Sequence, residues 1–335
     1  MQEKVEILSA WFEKAKRDLP WRKSLDPYLI WISEVMLQQT TVKVVVPYYF
    51  RFIERFPTLK SLASSREEEV LSLWSGLGYY SRAKNLRRGA EVIEKNFKGR
   101  FPQDRETLES IPGIGPYTAG AILSIAFDQK EAIVDGNVKR VFARCYGIRK
   151  IIDDPKVEAT FWKYSREWVE HAQSPRNLNQ ALMELGALLC TKADPQCHLC
   201  PLSGSCKAYF LQIQHKLPLR KKRKAAEPRF LLIRIYEQDK KLCFQKNESG
   251  WWKGLWDFPK EIFETRDEFE RALRNLKKQR CEVLGTVSHV VTHHKIAATP
   301  VYFTALATPP PGTWRSRKDP KLPLSSLSQK ILNLL

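Results

Sequence analysis

Apolar residues recur at intervals of three and four along most of the first 215 residues. The pattern predicts helices over 5–16, 28–41, 44–56, 66–74, 81–96, 116–126, 137–146 and 177–190. Short Gly- or Pro-bearing connections, such as Phe56-Pro57-Thr58 and Gly76-Leu77-Gly78, punctuate them, so this part reads as a compact all-α domain. The pattern changes after residue 228. Runs at 229–238, 241–246, 285–295 and 299–307 carry β-branched and aromatic residues at strand length, with one helical run at 266–279, which predicts an α+β domain. Between the two lies HKLPLRKKRKAAEP, residues 215–228, with six Lys/Arg and almost no core-forming side chains. Its composition is that of a basic linker, a solvated tether or a phosphate contact. The expected domains are therefore 1–214 and 229–335. No internal repeat is visible, and Pro309-Pro310-Pro311 is the one other biased segment.

Length and charge sharpen the picture. A chain of 335 residues exceeds what one core usually serves, in keeping with two domains. Lys and Arg number 56 against 37 Asp and Glu, a net charge of +19, which attracts polyanions: nucleic acid first, an anionic membrane surface second. No run approaches the roughly 18 apolar residues of a membrane-spanning helix. The acidic start Met1-Gln2-Glu3 lacks an apolar leader, so a reducing, cytoplasmic setting is expected. There, the cluster Cys190, Cys197, Cys200 and Cys206 is a metal-ligand set before it is a disulfide framework. Four thiolates suit zinc or an iron-sulfur cluster. Cys145, Cys243 and Cys281 read as packing residues.

Two stretches carry candidate chemistry. In residues 108–120, LESIPGIGPYTAG, Gly113 and Gly115 flank Ile114; such a turn allows positive φ and lets amides at the next helix's start face a phosphate. An ordinary Pro-Gly turn is the alternative. Twenty residues beyond Gly115, Asp135 opens a basic amphipathic helix in VDGNVKRV, where it is either a plain N-cap or an anion placed for a purpose. Glu34 lies in YLIWISEVMLQQT, among apolar neighbours that would desolvate it and raise its pKa towards that of a proton donor. Two carboxylates in different environments suit hydrolysis of a glycosidic bond, one giving a proton and one stabilising an oxocarbenium ion.

Taken together, IPGIGPYTAG followed by VDGNVKRV resembles the helix-hairpin-helix signature of the DNA glycosylase superfamily. LPWR (19–22), WISEVMLQQT (31–40) and GLGYYSRAKN (76–85) are similar to the adenine DNA glycosylase family, as is the cysteine loop at 190–206. The resemblance is dense over about residues 5–215 and looser beyond. It implies a mainly α helix-hairpin-helix glycosylase fold with a 4Fe-4S cluster on the four cysteines, and a C-terminal α+β Nudix-like domain. It further implies that Glu34 protonates adenine at N7 and later handles water, and that Asp135 stabilises the cation or a covalent sugar intermediate. Tyr117 and Asn137 would position these two groups. Bifunctional relatives carry lysine at position 117, so Tyr117 implies a monofunctional enzyme. Gln39 and Tyr80 become wedges for base flipping; Trp21, Arg22, Thr40 and Leu77 surround the opposite base; Gln180 lines the adenine pocket; Gly113 and Gly115 meet the DNA backbone, with a monovalent or divalent cation at the hairpin.

In the C-terminal domain, GWWKGLWDFP (250–259) resembles the Trp-rich segment of the Nudix-like domain that recognises 8-oxoguanine. The Nudix hydrolase box is missing from ETRDEFERALRNLKKQ, so the domain is expected to bind and not to hydrolyse. A Ser-His-like lesion contact falls on Ser288-His289 or on Thr292-His293, and the spacing to the following strand favours the second. The expected partner is double-stranded DNA carrying A:8-oxoguanine or A:G, with no membrane, acting in base excision repair as a monomer in a prokaryotic cytoplasm, near the nucleoid. Two other readings remain: a thymine or uracil mismatch glycosylase on the same scaffold, and a non-catalytic DNA-binding iron-sulfur protein.

Overall fold

The computed structural model describes residues 1–221, 225–276, 280–303, 310–317 and 322–335. The chain divides into two compact units, Met1–Ser64 with Asn85–Lys222, and Ser65–Lys84 with Arg223–Leu335. The division departs from the contiguous domains expected at 1–214 and 229–335. Residues 65–84 pack with the C-terminal part: Ser75 donates to the Leu324 carbonyl at 2.6 Å, and Lys246 reaches Glu68 at 2.6 Å. Helical periodicity shows that a segment has an apolar face, not which core receives it.

In chain order the helices up to residue 210 are α1 (Gln2–Ala15), α2 (Pro27–Leu37), α3 (Val42–Arg55), α4 (Leu59–Ala63), α5 (Glu67–Trp74), α6 (Ser81–Phe97), α7 (Arg105–Glu109), α8 (Pro116–Phe127), α9 (Gly136–Cys145), α10 (Pro155–Glu170), α11 (Pro175–Leu188) and α12 (Lys207–Phe210). Only α5 lies wholly in the second unit, and α6 carries the chain back to the first. In the first unit, α8, α9, α10 and α11 enclose a core that includes Ile133, Phe142, Phe161, Trp168, Leu178 and Leu182. The sequence pattern did not single out α10. Its apolar stripe of Val157, Phe161, Trp168 and Val169 is interrupted at the buried Ser165, whose hydroxyl donates to the Ile133 carbonyl at 2.8 Å. Both α2 and α8 are apolar around most of their circumference, the signature of a buried helix.

The second unit builds a sheet from β1 (Glu227–Gln238), β2 (Lys241–Lys246), β3 (Trp256–Asp257), β4 (Lys260–Phe263), β5 (Cys281–Val283), β6 (Val287–Val291), β7 (His294–Phe303) and β8 (Thr313–Ser316). Two helices accompany it, α13 (Arg266–Leu276) and α14 (Ser326–Leu332). Strand β1 runs parallel to β7, pairing Glu227 with His294 and Tyr236 with Phe303. Phe269 and Leu276 of α13 cover Leu232, Val301 and Phe303. The run 285–295, expected as one strand, is a hairpin in which β6 and β7 turn at Thr292-His293. Thr292 takes φ 53, a conformation β-branched residues seldom adopt, and no Asn-Gly signal marks the turn. The ends of the expected helix 266–279 and strand 299–307, part of the linker and Pro309 lie outside the described residues.

Candidate active site

Helix α2 places Glu34. Asp26 caps its start by accepting from Tyr28 N at 2.8 Å, and the Tyr28 hydroxyl donates to the Phe56 carbonyl at 2.7 Å, locking the helix in the unit. Ile30, Trp31, Val35 and Met36 around Glu34 are buried, and Glu34 itself is only 6% exposed. Burial disfavours its charged form. The Tyr117 hydroxyl, donating to Oε2 at 2.5 Å, and Arg22 act against burial, while Asp135 adds to it; the outcome is a carboxyl pushed up to about 7.

Tyr117 belongs to the hairpin of α7 and α8. Arg105 braces this hairpin, donating to Glu131, Glu109 and the Pro116 carbonyl. Gly113 takes φ 85, where a Cβ would stand 2.9 Å from Asn85 Cβ, so only glycine is comfortable. The expectation that both glycines supply positive φ holds for Gly113 alone. Gly115 is extended because it is the N-cap residue of α8, and its missing Cβ leaves open space in front of the helix start. The Tyr117 phenol is driven well above its ordinary pKa by burial and by Glu34 and Asp135, so it stays a hydrogen-bond donor.

Asp135 is the N-cap of α9, and its second oxygen is held as well. One oxygen caps α9 by accepting from Val138 N at 2.7 Å, and the other accepts from Asn137 Nδ2 at 2.9 Å. Burial pushes its carboxyl up, against these hydrogen bonds and the nearby Arg140. Asn137 is itself held: Arg140 Nη2 donates to its Oδ1 at 2.8 Å, and Gly186 of α11 lies so close that a Cβ there would come within 2.6 Å of Asn137 Cβ.

A third acid, Glu184, escaped the sequence reading. It is 1% exposed and accepts from Arg17 Nη2 at 2.7 Å and Arg22 Nη2 at 2.9 Å. Burial pushes its carboxyl up, but the hydrogen bonds from Arg17 and Arg22 prevail and hold it at about 2. Arg22 in turn donates to Gln180 Oε1 at 3.2 Å, so Glu184 fixes two of the expected contact residues at once. Its place one turn after Gln180 on α11 was the available signal.

The structure thus gathers Glu34, Tyr117, Asp135, Asn137, Arg22, Gln180 and Glu184 within one unit. Trp21 is buried, edge-on against Tyr49 with centroids 5.3 Å apart, which makes it core. Gln39, exposed at φ 59, and Thr40 follow the end of α2. Leu77 and Tyr80 belong to the second unit, where the Tyr80 hydroxyl accepts from Gly76 N at 3.2 Å. In that unit too, Thr292 and His293 stand exposed at the hairpin turn, while His289 lies half-buried beside Ser326.

Cys190, Cys197, Cys200 and Cys206 line one small apolar cavity with Leu185, Leu189 and Leu202. Among the described residues, no three of the four sulfurs lie within 4.8 Å of one another. A tetrahedral zinc site with Zn–S of ~2.3 Å would hold its sulfurs about 3.8 Å apart. Buried Arg144 donates to Cys190 Sγ at 3.3 Å and to the Thr191 carbonyl at 2.6 Å. Arg140 donates to the Cys190 carbonyl at 2.7 Å, so one arginine ties the cysteine loop to the residue that orients Asp135. Of the other cysteines, Cys145 and Cys243 are buried and Cys281 is half-buried. No helix among the described residues is long and apolar enough to cross a membrane.

Residues 32–167 match the HhH-GPD superfamily of base excision DNA repair proteins, and residues 230–334 match the NUDIX domain. Among solved structures, a thermostable thymine-DNA glycosylase is 28% identical with a TM-score of 0.55, covering 62% of this chain and 95% of that one. Endonuclease III in a non-covalent DNA complex is 26% identical with a TM-score of 0.51, covering 63% and 95%. The adenine DNA glycosylase of Buchnera aphidicola is 38% identical over 88% of this chain and 85% of its own length. That of Mus musculus is 35% identical over 92% and 73%. Identity at this level across both units, and not only across the helical part shared with the structural neighbours, makes this chain a member of the adenine DNA glycosylase family.

Proposed function

We propose that this protein removes adenine paired with 8-oxoguanine or guanine in double-stranded DNA, as a monofunctional glycosylase that leaves an abasic site. The observation that carries the reading is Glu34: a buried carboxyl near pKa 7, able to hold and release a proton at neutral pH, hydrogen-bonded to a phenol where an amine would bring lyase chemistry. Adenine flipped out of the duplex receives the Glu34 proton at N7. The C1′–N9 bond then breaks, its electron pair leaving with the neutral base. Positive charge on the sugar is met by the Asp135 carboxylate, whose anionic form Val138 N and Asn137 favour. Water adds to C1′ and returns its proton to Glu34, which closes the cycle.

Other positions take supporting roles. The extended turn before α8 and its open space at Gly115 suit a DNA phosphate. Gln39 and Tyr80 wedge the opened stack, Arg22, Thr40, Leu77 and Gln180 contact the two bases, and Thr292-His293 meets 8-oxoguanine. Cys190, Cys197, Cys200 and Cys206 hold a 4Fe-4S cluster; four thiols lining one apolar cavity are the donor set such a cluster takes. When bound, the cluster cross-links the loop after α11, and no acid or base of the reaction comes from it.

Incubating the protein with labelled duplexes carrying A:8-oxoguanine, A:G, T:G or A:T, followed by alkali, tests the reading. Product from the first two supports it; no product from A:8-oxoguanine, or preference for T:G, overturns it. Glu34→Gln should lose excision yet keep specific duplex binding. Four irons per chain and a brown colour are expected of the purified protein, whereas stoichiometric zinc in anaerobic preparations would rule out the cluster.

A further inference from the structure

We propose that Glu227, His293 and His294 form a binding site for a divalent transition-metal ion such as Zn²⁺, separate from the four cysteines and in competition with the lesion contact assigned to His293. Among the described residues they are the one group of three His, Cys, Asp or Glu side chains whose ligand atoms all lie within 4.8 Å of one another. His294 Nδ1 stands 3.6 Å from Glu227 Oε2, close to the ~3.4 Å between neighbouring ligands of a tetrahedral zinc site, so a small inward movement completes the geometry.

The backbone explains how two sequence neighbours share a site. Consecutive residues of a strand point to opposite faces, which would separate their imidazoles. Here the left-handed Thr292 (φ 53) puts His293 in the turn and His294 at the first position of β7, and their rings lie 4.0 Å apart between centroids. The register of β1 against β7 then sets Glu227 opposite His294, while Glu227 N donates to the His293 carbonyl at 3.0 Å. The site closes a ring between the turn and the first residue of β1.

A second, independent observation points to a ligand. His294 is 7% exposed, and its Nδ1 is a buried nitrogen with no hydrogen-bond partner. A buried polar atom left unpaired is destabilising, and a bound ion would relieve it. Trp251 packs on the His294 ring at 4.8 Å and fixes its plane. One cation opposes the site: Arg229 Nη2 lies 3.1 Å from Glu227 Oε2 and must shift towards Glu264, at 3.7 Å, when the metal binds. Two imidazoles and a carboxylate select zinc-like ions over magnesium or calcium, which prefer all-oxygen sets, and leave a fourth position for water.

The test is zinc titration of the iron-loaded, tag-free full-length protein, with affinity measured by calorimetry and bound zinc by elemental analysis. Wild type should bind a zinc that Glu227→Gln and His293→Ala each weaken at least about tenfold. Both residues are exposed, so the metal-free melting temperatures should match wild type. Zinc should raise the melting temperature of wild type and leave both variants where they were. Zinc bound equally well by all three proteins, which would place it on the cysteines, or no zinc bound by wild type, overturns the site.

Discussion

Replacing Tyr117 by Phe removes the hydroxyl that bonds Glu34, together with its 3.0 Å contact to Met183 Sδ, and so probes how Glu34 is tuned. The hydroxyl donates to Glu34 Oε2 at 2.5 Å and so favours the ionised carboxylate, opposing burial. A hydrogen bond to a charged group is worth ~1.5–3 kcal/mol net. At 1.36 kcal/mol per pKa unit, its loss raises the carboxyl by about one to two units. In the proposed mechanism Glu34 acts in its protonated form, so the rate of base release should fall as pH rises through its pKa. In wild type that limb is expected near pH 7; in Tyr117→Phe it moves to about pH 8–9. At pH 8 about a tenth of wild-type sites hold the proton, against roughly three quarters of the variant's if its pKa is about 8.5. Single-turnover excision from an A:8-oxoguanine duplex between pH 5.5 and 9.5 reads this directly. The plateau at low pH also reports any loss of positioning. A limb that stays in place, or moves to lower pH, refutes the claim that the phenol stabilises the anion.

Further outcomes follow from the same geometry. Because the Glu34 carboxyl rises from 4.5 in the unfolded chain to about 7 when folded, the acid is tolerated below pH 4.5 and its burial becomes costly as pH climbs through 7. Glu34→Gln should therefore stabilise the protein by about 3 kcal/mol above pH 7 and by little below pH 4.5, seen in denaturant melts at the two pH values; equal effects at both would contradict it. Glu184→Gln takes the charge from two arginines that the buried carboxylate pairs, and a cost of about 3–5 kcal/mol is expected, measured as a lower midpoint in urea. The stabilisation from Glu184 is present above the unfolded value of 4.5 and is lost only as pH falls towards about 2, so the gap between wild type and variant should persist at pH 5. Gly186→Ala pushes a methyl group against Asn137, and single-turnover excision should slow at least about tenfold with duplex affinity unchanged; an unaltered rate would mean Asn137 does not orient Asp135.

The local signals in the chain determined much of this protein. Apolar periodicity located most of the helices, the charge of +19 pointed to a polyanion, and the stretches around Glu34, residues 108–120, Asp135 and the four cysteines supplied the residues on which the proposed chemistry rests. These are properties that neighbours in sequence create together: a turn needs its glycine, and a buried helix shows its apolar circumference. Tertiary structure decided the rest, because the deciding contacts join residues far apart along the chain. Tyr117 reaches Glu34 across 83 positions, and Arg22 reaches Glu184 across 162. Glu184 looked like any helical acid until two arginines from the N-terminal segment closed on it. Residues 65–84 carried an ordinary helical pattern, yet their side chains bond to Leu324 and Lys246. The turn at Thr292-His293 was hidden by strand-forming residues on both sides, and only the antiparallel pairing of β6 with β7, which itself runs beside β1, forces the chain to reverse there. Sequence periodicity records which faces are apolar; what those faces meet, and hence the proton affinity of a buried carboxyl, is set by the fold.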